Sequence, residues 1–536
     1  MKFLLLFFTL ILCYGCRVSD IISVKKEELK SLNNELNSVD LKDWHHKDIV
    51  KDSIPGISLD RAYQELIKKK KGKEIIVAVI DTQLDIKHQD LKQSIWINKG
   101  EIPNNNIDDD KNGYIDDVNG WNFIGLNKDS TIVTQNYDFI RILNQKEINN
   151  KSNLFKDAEK EYLKHLKLIK DDKEYIEFLI NTHPKSKTAL KKIFPKEDYT
   201  VTQLDSLYLI KSKDSILSKL IYFMSDYKKY NLSKKWINNY KKNIARKEKV
   251  LDKNFDGRSV IGDNLLDLND RNYGNNDVSK YSNLFVHGTW TSGLIPLKRE
   301  NNSLNNIKIM PISVFCYGDE HDKDVALAIH YAVDNGAKII NFSSSKKFSL
   351  HNDWVNSALD YAMSNDVLFI TSSGNENLNI DKMVNYPNDN KLNVLNNFIV
   401  VSSSSNKVNQ NLASYFSNYG QNNVDVFAPG ENIYTTIPSN KYAFNSGTSL
   451  SVPITSKIAA LIWSYYPKLK VHQVKEIILA SGVSYDIDVE ITGEDGKKKL
   501  VPFKSLSKSG KIVNAYNALL YAKNYKKWKA GKWPKK

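Results

Sequence analysis

Asn445-Ser446-Gly447-Thr448-Ser449-Leu450-Ser451-Val452-Pro453 is a run of small turn residues that opens into the apolar stretch Ile454 to Trp463. The spacing of that stretch predicts a helix with Ser449 in or beside its first turn, where backbone N–H groups lack intrahelical partners and the dipole end is positive. A developing oxyanion is favoured there, so Ser449 has the setting of a hydrolase nucleophile. Pro453 is expected within that first turn, where a missing N–H removes no helical bond. Taken alone, Gly-Thr-Ser before a helix is more often a cap than a catalyst.

A base and an orienting acid change that balance. His287 lies in Val286-His287-Gly288-Thr289-Trp290-Thr291-Ser292-Gly293-Leu294-Ile295, a second turn leading into an apolar stretch. Asp81 ends the strand-like run Ile75-Ile76-Val77-Ala78-Val79-Ile80, and an acid at the tip of a buried parallel strand gains little structurally, so it should face a site. The chain order Asp81, His287, Ser449 is one of the known orders of the Asp-His-Ser triad.

Four stretches in order resemble the subtilisin-like serine peptidases of the S8 type. They are Ile80-Asp81-Thr82-Gln83-Leu84-Asp85-Ile86-Lys87-His88-Gln89-Asp90-Leu91, His287-Gly288-Thr289, Ser372-Ser373-Gly374-Asn375, and Gly447-Thr448-Ser449 with Pro453. The resemblance implies that Ser449 attacks the scissile carbonyl, His287 shuttles the proton, Asp81 holds the imidazole tautomer and Asn375 donates to the tetrahedral oxyanion. On its own, Asn375 reads equally as a turn asparagine after glycine. Four positions depart from the family pattern: Gln83 and Ser345 stand where glycine is usual, Trp290 where histidine is usual and Ser451 where alanine is usual. A side chain at Ser345 is expected to narrow the cleft. The pocket walls are expected in parts of 343–349, with Phe348, and 371–377.

The ends of the chain suggest export. Residues 1–15 read as a signal peptide: Lys2, then Phe3 to Leu12 almost wholly apolar and too short to span a bilayer. Gly15-Cys16 resembles a bacterial lipoprotein cleavage site, with Cys16 as the lipidated residue; ordinary secretion is the alternative. Of Cys13, Cys16 and Cys316, only the last would remain as a free thiol, so no internal disulfide is expected, and Cys316 reads as a small buried hydrophobe. Residues 16–50 read as a tether or reduced pro-segment, 51–523 as the peptidase domain and 524–536 as a solvated or surface-pressed basic tail.

His287 follows Asp81 by 206 positions, and Ser449 follows His287 by 162. The resemblance implies a few dozen for the first interval, so a large helical insertion is expected at about 130–250. Leu154, Phe155, Ala158, Tyr162, Leu163, Leu166 and Ile169, then Tyr175, Ile176 and Leu179, have helical periodicity. A second helix is expected after a cap at Thr202, through Leu204, Leu207, Ile210, Ile216, Leu220 and Ile221. Residues 141–250 hold 26 Lys and Arg against 14 Asp and Glu, a surplus of 12 out of the whole chain's 15. That local basicity suits an acidic envelope partner or membrane surface, or equally a solvated lysine face. Lying outside every catalytic motif, the segment reads as a detachable module. No nucleic-acid recognition motif is present.

Ile107-Asp108-Asp109-Asp110-Lys111-Asn112-Gly113-Tyr114-Ile115-Asp116-Asp117 places oxygen ligands at loop positions 1, 3, 5 and 9 with glycine at 6. Asp108, Asp110, Asn112 and Asp116 are therefore candidate calcium ligands, with an acidic turn as the alternative. Asp252-Lys253-Asn254-Phe255-Asp256-Gly257 with Asp263 has comparable spacing, weakened by Lys253 and Arg258.

The expectation is an α/β, subtilisin-like fold: a mostly parallel sheet with helices on both faces and strands at 75–80, 307–315, 338–343, 367–372 and 398–402. The expected activity is a monomeric exported serine endopeptidase acting on peptides through an acyl-enzyme, anchored to the membrane by lipid on Cys16. The competing readings are a catalytically silent envelope-binding protein and an envelope-binding module built on the basic insertion.

Overall fold

Continuous apolar runs make strands that must be covered on both faces, and the sheet obeys that rule. In the computed structural model, residues 40–68, 70–126, 130–145, 148–297, 306–389, 396–493 and 496–533 are described. The strands are β1 (Ile75–Asp81), β2 (Trp121–Asn122), β3 (Ile307–Ser313), β4 (Ile339–Phe342), β5 (Leu368–Ser372), β6 (Phe398–Ser404) and β7 (Val426–Pro429). Every residue of β4, β5, β6 and β7 is buried. From β7 the order runs β6, β5, β4, β1, β3, β2, with all these pairings parallel, and the short strand Lys511–Ile512 extends the β7 edge. The chain passes from β1 to β3 on one side and then to β4 on the other, so the carboxyl end of β1 is a switch point where an α/β sheet opens a crevice. Asp81 is the last residue of β1.

The insertion is helical: α1 (Asp138–Asn144), α2 (Asn153–Lys191), α3 (Val201–Ile210), α4 (Ser215–Lys229) and α5 (Lys234–Leu251). Ala158, Ile169, Ile176 and Leu179 form the buried stripe of α2, while Leu163, Leu166 and Tyr175 of the predicted face are exposed. The cap expected at Thr202 is instead Thr200, whose side chain takes the Gln203 amide in a reciprocal capping box. The expected second helix is two helices, because Asp214 caps a new start by accepting from Ile216 and Leu217 N–H.

Three further helices position the site: α6 (His287–Ser292), α7 (Asp322–Asp334) and α8 (Asn352–Ser364). The predicted helix after Gly447 is α9 (Thr448–Tyr465), which is buried along nearly its whole length. Pro453 is its sixth residue, in the second turn and not the first. Its missing N–H therefore does remove a helical bond, the one to the Ser449 carbonyl.

The folded body begins ahead of residue 51. Trp44 is fully buried and donates from Nε1 to the Asn432 carbonyl at 3.2 Å, so part of the expected tether belongs to the core. The basic tail is docked as far as it is described: Tyr525 and Lys529 both reach Glu476. No helix among the described residues is long and apolar enough to cross a membrane. The signal segment and Cys16 lie outside the described residues.

Candidate functional site

Asp81 is fully buried, and each of its carboxylate oxygens is engaged. Oδ1 lies 2.7 Å from His287 Nδ1 and accepts from Thr82 N–H at 2.7 Å, while Oδ2 accepts from the Thr291 hydroxyl at 3.1 Å. Thr291 follows His287 by four residues on α6 and so shares its face. That spacing was a signal in the sequence, although the reading above does not use it. Gly288 lets the turn close: a Cβ there would lie 2.4 Å from the Thr82 carbonyl. Burial alone lowers the His287 pKa, but the Asp81 carboxylate outweighs it, and the imidazole sits above the usual histidine value.

Ser449 is the second residue of α9, as the sequence predicts, beside unpaired first-turn amides. Its hydroxyl donates to the Ser343 carbonyl at 3.0 Å, directly after β4. Asp81 and His287 are therefore hydrogen-bonded to each other, and Ser449 is held by a different partner.

Asn375 Oδ1 accepts from both the Thr448 N–H at 2.9 Å and the Thr448 hydroxyl at 3.0 Å. This fixes the amide and leaves its NH₂ as the half with no protein partner among the described residues. Asn418, missed in the sequence, braces the same turn: it donates to the Ser373 carbonyl at 2.8 Å and accepts from Glu376 and Leu378 N–H. Gly374 has φ +103°, and a Cβ there would meet Asn418 Nδ2 at 2.4 Å, so only glycine fits. The same Cβ would come 3.3 Å from Ser345 Oγ, which places Ser345 against the turn that carries Asn375.

Two of the other departures from the family pattern, Gln83 and Ser451, have hydrogen-bond partners. Gln83 donates to the Asp277 carbonyl and accepts from Tyr281 N–H, tying the strand end to the loop that delivers His287. Ser451 donates to the Ala428 carbonyl at 3.0 Å. The Trp290 ring lies 6.3 Å from that of His287, but its buried Nε1 has no hydrogen-bond partner among the described residues. We have no physical account of that orphan. Cys316 is half-buried, not the fully buried hydrophobe expected, and desolvation pushes its thiol up.

The insertion joins the walls of this crevice. Val314 N–H bonds the Asp81 carbonyl, and three residues on, Tyr317 takes the Phe285 ring at 5.6 Å and the Arg246 guanidinium of α5 at 4.5 Å. Tyr317, Phe348 and Leu350 belong to the same apolar cluster as the buried faces of α2 and α5. Beneath them Lys346 is buried between Asp138, at 2.7 Å, and Asp322, at 2.9 Å, and donates to the Glu320 carbonyl. Burial drives the Glu320 carboxyl up to about 7. The segment 141–250 is thus packed on the crevice and is not a detachable module.

The acidic loop does not gather the four residues expected. Asp108 accepts from Asn112 and Gly113 N–H, and Asp116 from Asn105 and Asn106 N–H, so both carboxylates cap turns. Asn112 turns its NH₂ toward Asp110 and Asp117. The carboxylates that converge are Glu101, Asp110 and Asp117, with oxygens within 4.8 Å of one another. Burial, and then mutual repulsion, raises the pKa of Glu101 and Asp117, a tension that a cation relieves. The second candidate loop fills itself with protein cations: Asp263 pairs with Arg258 at 3.1 Å and Lys323 at 2.8 Å.

The model of the subtilase family (peptidase S8) matches residues 72–504. The cell wall-associated protease of Bacillus subtilis (strain 168) is 30% identical over 224 residues, 40% of this chain and 23% of that protein. The thermophilic serine proteinase of Bacillus sp. (strain AK1) is 28% identical over 274 residues, covering 50% of this chain and 58% of the relative. The chain thus spans less than two thirds of these relatives' lengths. Among solved structures, Sphericase aligns with a TM-score of 0.31 and 26% identity over 36% of this chain and 68% of that one. With a family match that reaches from just before β1 past α9 and takes in Asp81, His287, Asn375 and Ser449, the chain belongs to the subtilase family.

Proposed function

We propose that this chain is a serine endopeptidase that cleaves peptide bonds through an acyl-enzyme on Ser449. The observation that carries the reading is the 2.7 Å contact between His287 Nδ1 and the buried Asp81, which Thr82 N–H and the Thr291 hydroxyl also hold. With Nδ1 committed to Asp81, Nε2 is the nitrogen free to act as base. The Ser449 hydroxyl leaves the Ser343 carbonyl, gives its proton to His287 Nε2 and attacks the substrate carbonyl. The developing oxyanion takes the Asn375 NH₂ and the Ser449 backbone N–H. The imidazolium, steadied by Asp81, then returns the proton to the leaving amine, and water repeats the sequence to release the acyl group. Hydrolysis of a peptide substrate, lost in Ser449→Ala with an unchanged circular dichroism spectrum, tests the reading; retained hydrolysis overturns it.

Three finer elements belong to the same proposal. The protein is exported and acylated on Cys16, a reading supported by sequence alone. Residues 141–250 meet an acidic component of the cell envelope, which their surplus of 12 positive charges suits. Calcium is held by Glu101, Asp110 and Asp117, whose oxygen donors and mutual repulsion fit a hard cation.

A further inference from the structure

Of the 25 large apolar side chains left exposed among the described residues, 14 lie within 141–250. The three barest of these are Leu209 at 72%, Ile210 at 73% and Ile216 at 74% exposure, and they bracket the short turn between α3 and α4. Aliphatic side chains so placed contribute nothing to the fold, whose own core lies on the opposite faces, with Leu204, Ile221 and Met224. Behind the turn stand two exposed tyrosines, Tyr208 and Tyr222, with rings 5.7 Å apart. Around it are the exposed Lys211, Lys213 and Lys219, none of which has a carboxylate partner among the described residues. Between Asp205 and Asp226 the single acid is Asp214, and its carboxylate is spent on two helix N–H groups.

Aliphatic tip, tyrosine collar and lysine rim form the layering that a bilayer surface takes. Aliphatic groups enter the acyl boundary, tyrosines sit at headgroup depth and lysines meet anionic lipid. We propose that the turn between α3 and α4 is a membrane-contacting tip, which seats Leu209, Ile210 and Ile216 in an anionic bilayer. The proposal rests on the reading that the insertion meets an acidic envelope component, and names that component as lipid.

The test uses the full chain with Cys13→Ser, Cys16→Ser and Cys316→Ala, so that neither acylation nor a native thiol interferes. Ile210→Cys carries an environment-sensitive fluorophore, and Leu163→Cys, on the exposed side of α2, carries it as a control. With vesicles of phosphatidylglycerol and phosphatidylethanolamine in equal parts, emission at position 210 should rise several-fold and shift to the blue, while position 163 stays unchanged. The rise should shrink in high salt, and phosphatidylcholine vesicles should give little of it. Co-flotation with the anionic vesicles while position 210 stays silent overturns the tip but leaves the acidic-partner reading standing. Absence of both overturns the two together, and an equal response to neutral lipid overturns the anionic assignment.

Discussion

The Ser449 hydroxyl donates to the Ser343 carbonyl at 3.0 Å, while His287, the base that must take its proton, is bonded through Nδ1 to Asp81 at 2.7 Å. The resting nucleophile is therefore held on the strand end that also begins the wall of the crevice. In the proposed reaction the hydroxyl must leave the Ser343 carbonyl for His287 Nε2. Hydrogen bonds of such sites commonly tighten only in the substrate complex.

In the proposed reaction, His287 gives the rate its acidic limb. The imidazole must be neutral to act as base, and Asp81 raises its pKa above the usual 6.5, so kcat/KM should climb with pH through a midpoint above 6.5. Asp81→Asn should lower the rate by about 10⁴-fold, a magnitude established for this triad chemistry, and move the midpoint down, because burial alone then acts on the ring. A pH–rate profile of both proteins checks the direction. For stability the sign is the reverse of that for rate: a raised histidine pKa stabilises the fold below the unfolded value and loses that contribution as pH rises through the folded one.

Asn375→Ala should reduce kcat by about 10²–10³-fold with little change in KM, a size of loss known from a subtilisin. Asn418→Ala should reproduce part of that loss without touching substrate, since it frees the turn that carries Asn375. Steady-state kinetics of the two variants separate the donor from its brace.

Glu320 predicts a pH-dependent melting temperature. Its carboxyl, raised to about 7 by burial, binds a proton more readily in the folded than in the unfolded chain. Its contribution is present below the unfolded value near 4.5 and fades as pH climbs to 7. Glu320→Gln should flatten the fall in melting temperature between these limits, which calorimetry at a series of pH values reads directly.

Chelation should lower the melting temperature, because a cation that binds only the folded state stabilises it by mass action. Asp110→Asn, at the exposed member of the triad of carboxylates, should remove most of that response, whereas Asp108→Asn should not. Thermal denaturation with and without chelator distinguishes the two sites.

Replacing residues 141–250 with a Gly-Ser link should cut hydrolysis of even short peptides by roughly 10²-fold, since it uncovers Phe348, Leu350 and Tyr317 and loosens the wall beside Asp81. Small-peptide kinetics on the folded deletion protein measure this.

What the sequence revealed was governed by local rules. Ile75 to Asp81 and Phe398 to Ser402 read as strands because buried parallel strands are continuous apolar runs, and Asp81, His287 and Ser449 sit on turns whose neighbours are diagnostic. The contacts of Lys346 with Glu320, Asn418 with Glu376 and Tyr317 with Arg246 span 26, 42 and 71 positions of sequence, where no local pattern reports them. The acidic loop misled for a related reason: the spacing of Asp108 and Asp116 is also that of side chains capping their own turns, while Glu101 and Asp117 stand outside the pattern. Thr200 and Thr202 are both plausible caps by residue type, and Gln203 decides between them by closing the box with Thr200.

The most direct test of the central claim is covalent labelling by a serine-directed phosphonate, followed by peptide mass mapping. A single adduct on Ser449, absent in Ser449→Ala and strongly slowed in His287→Ala, is the predicted result. A chain that takes no adduct, or takes one on another serine while still hydrolysing peptides, would contradict the assignment of Ser449 as the nucleophile.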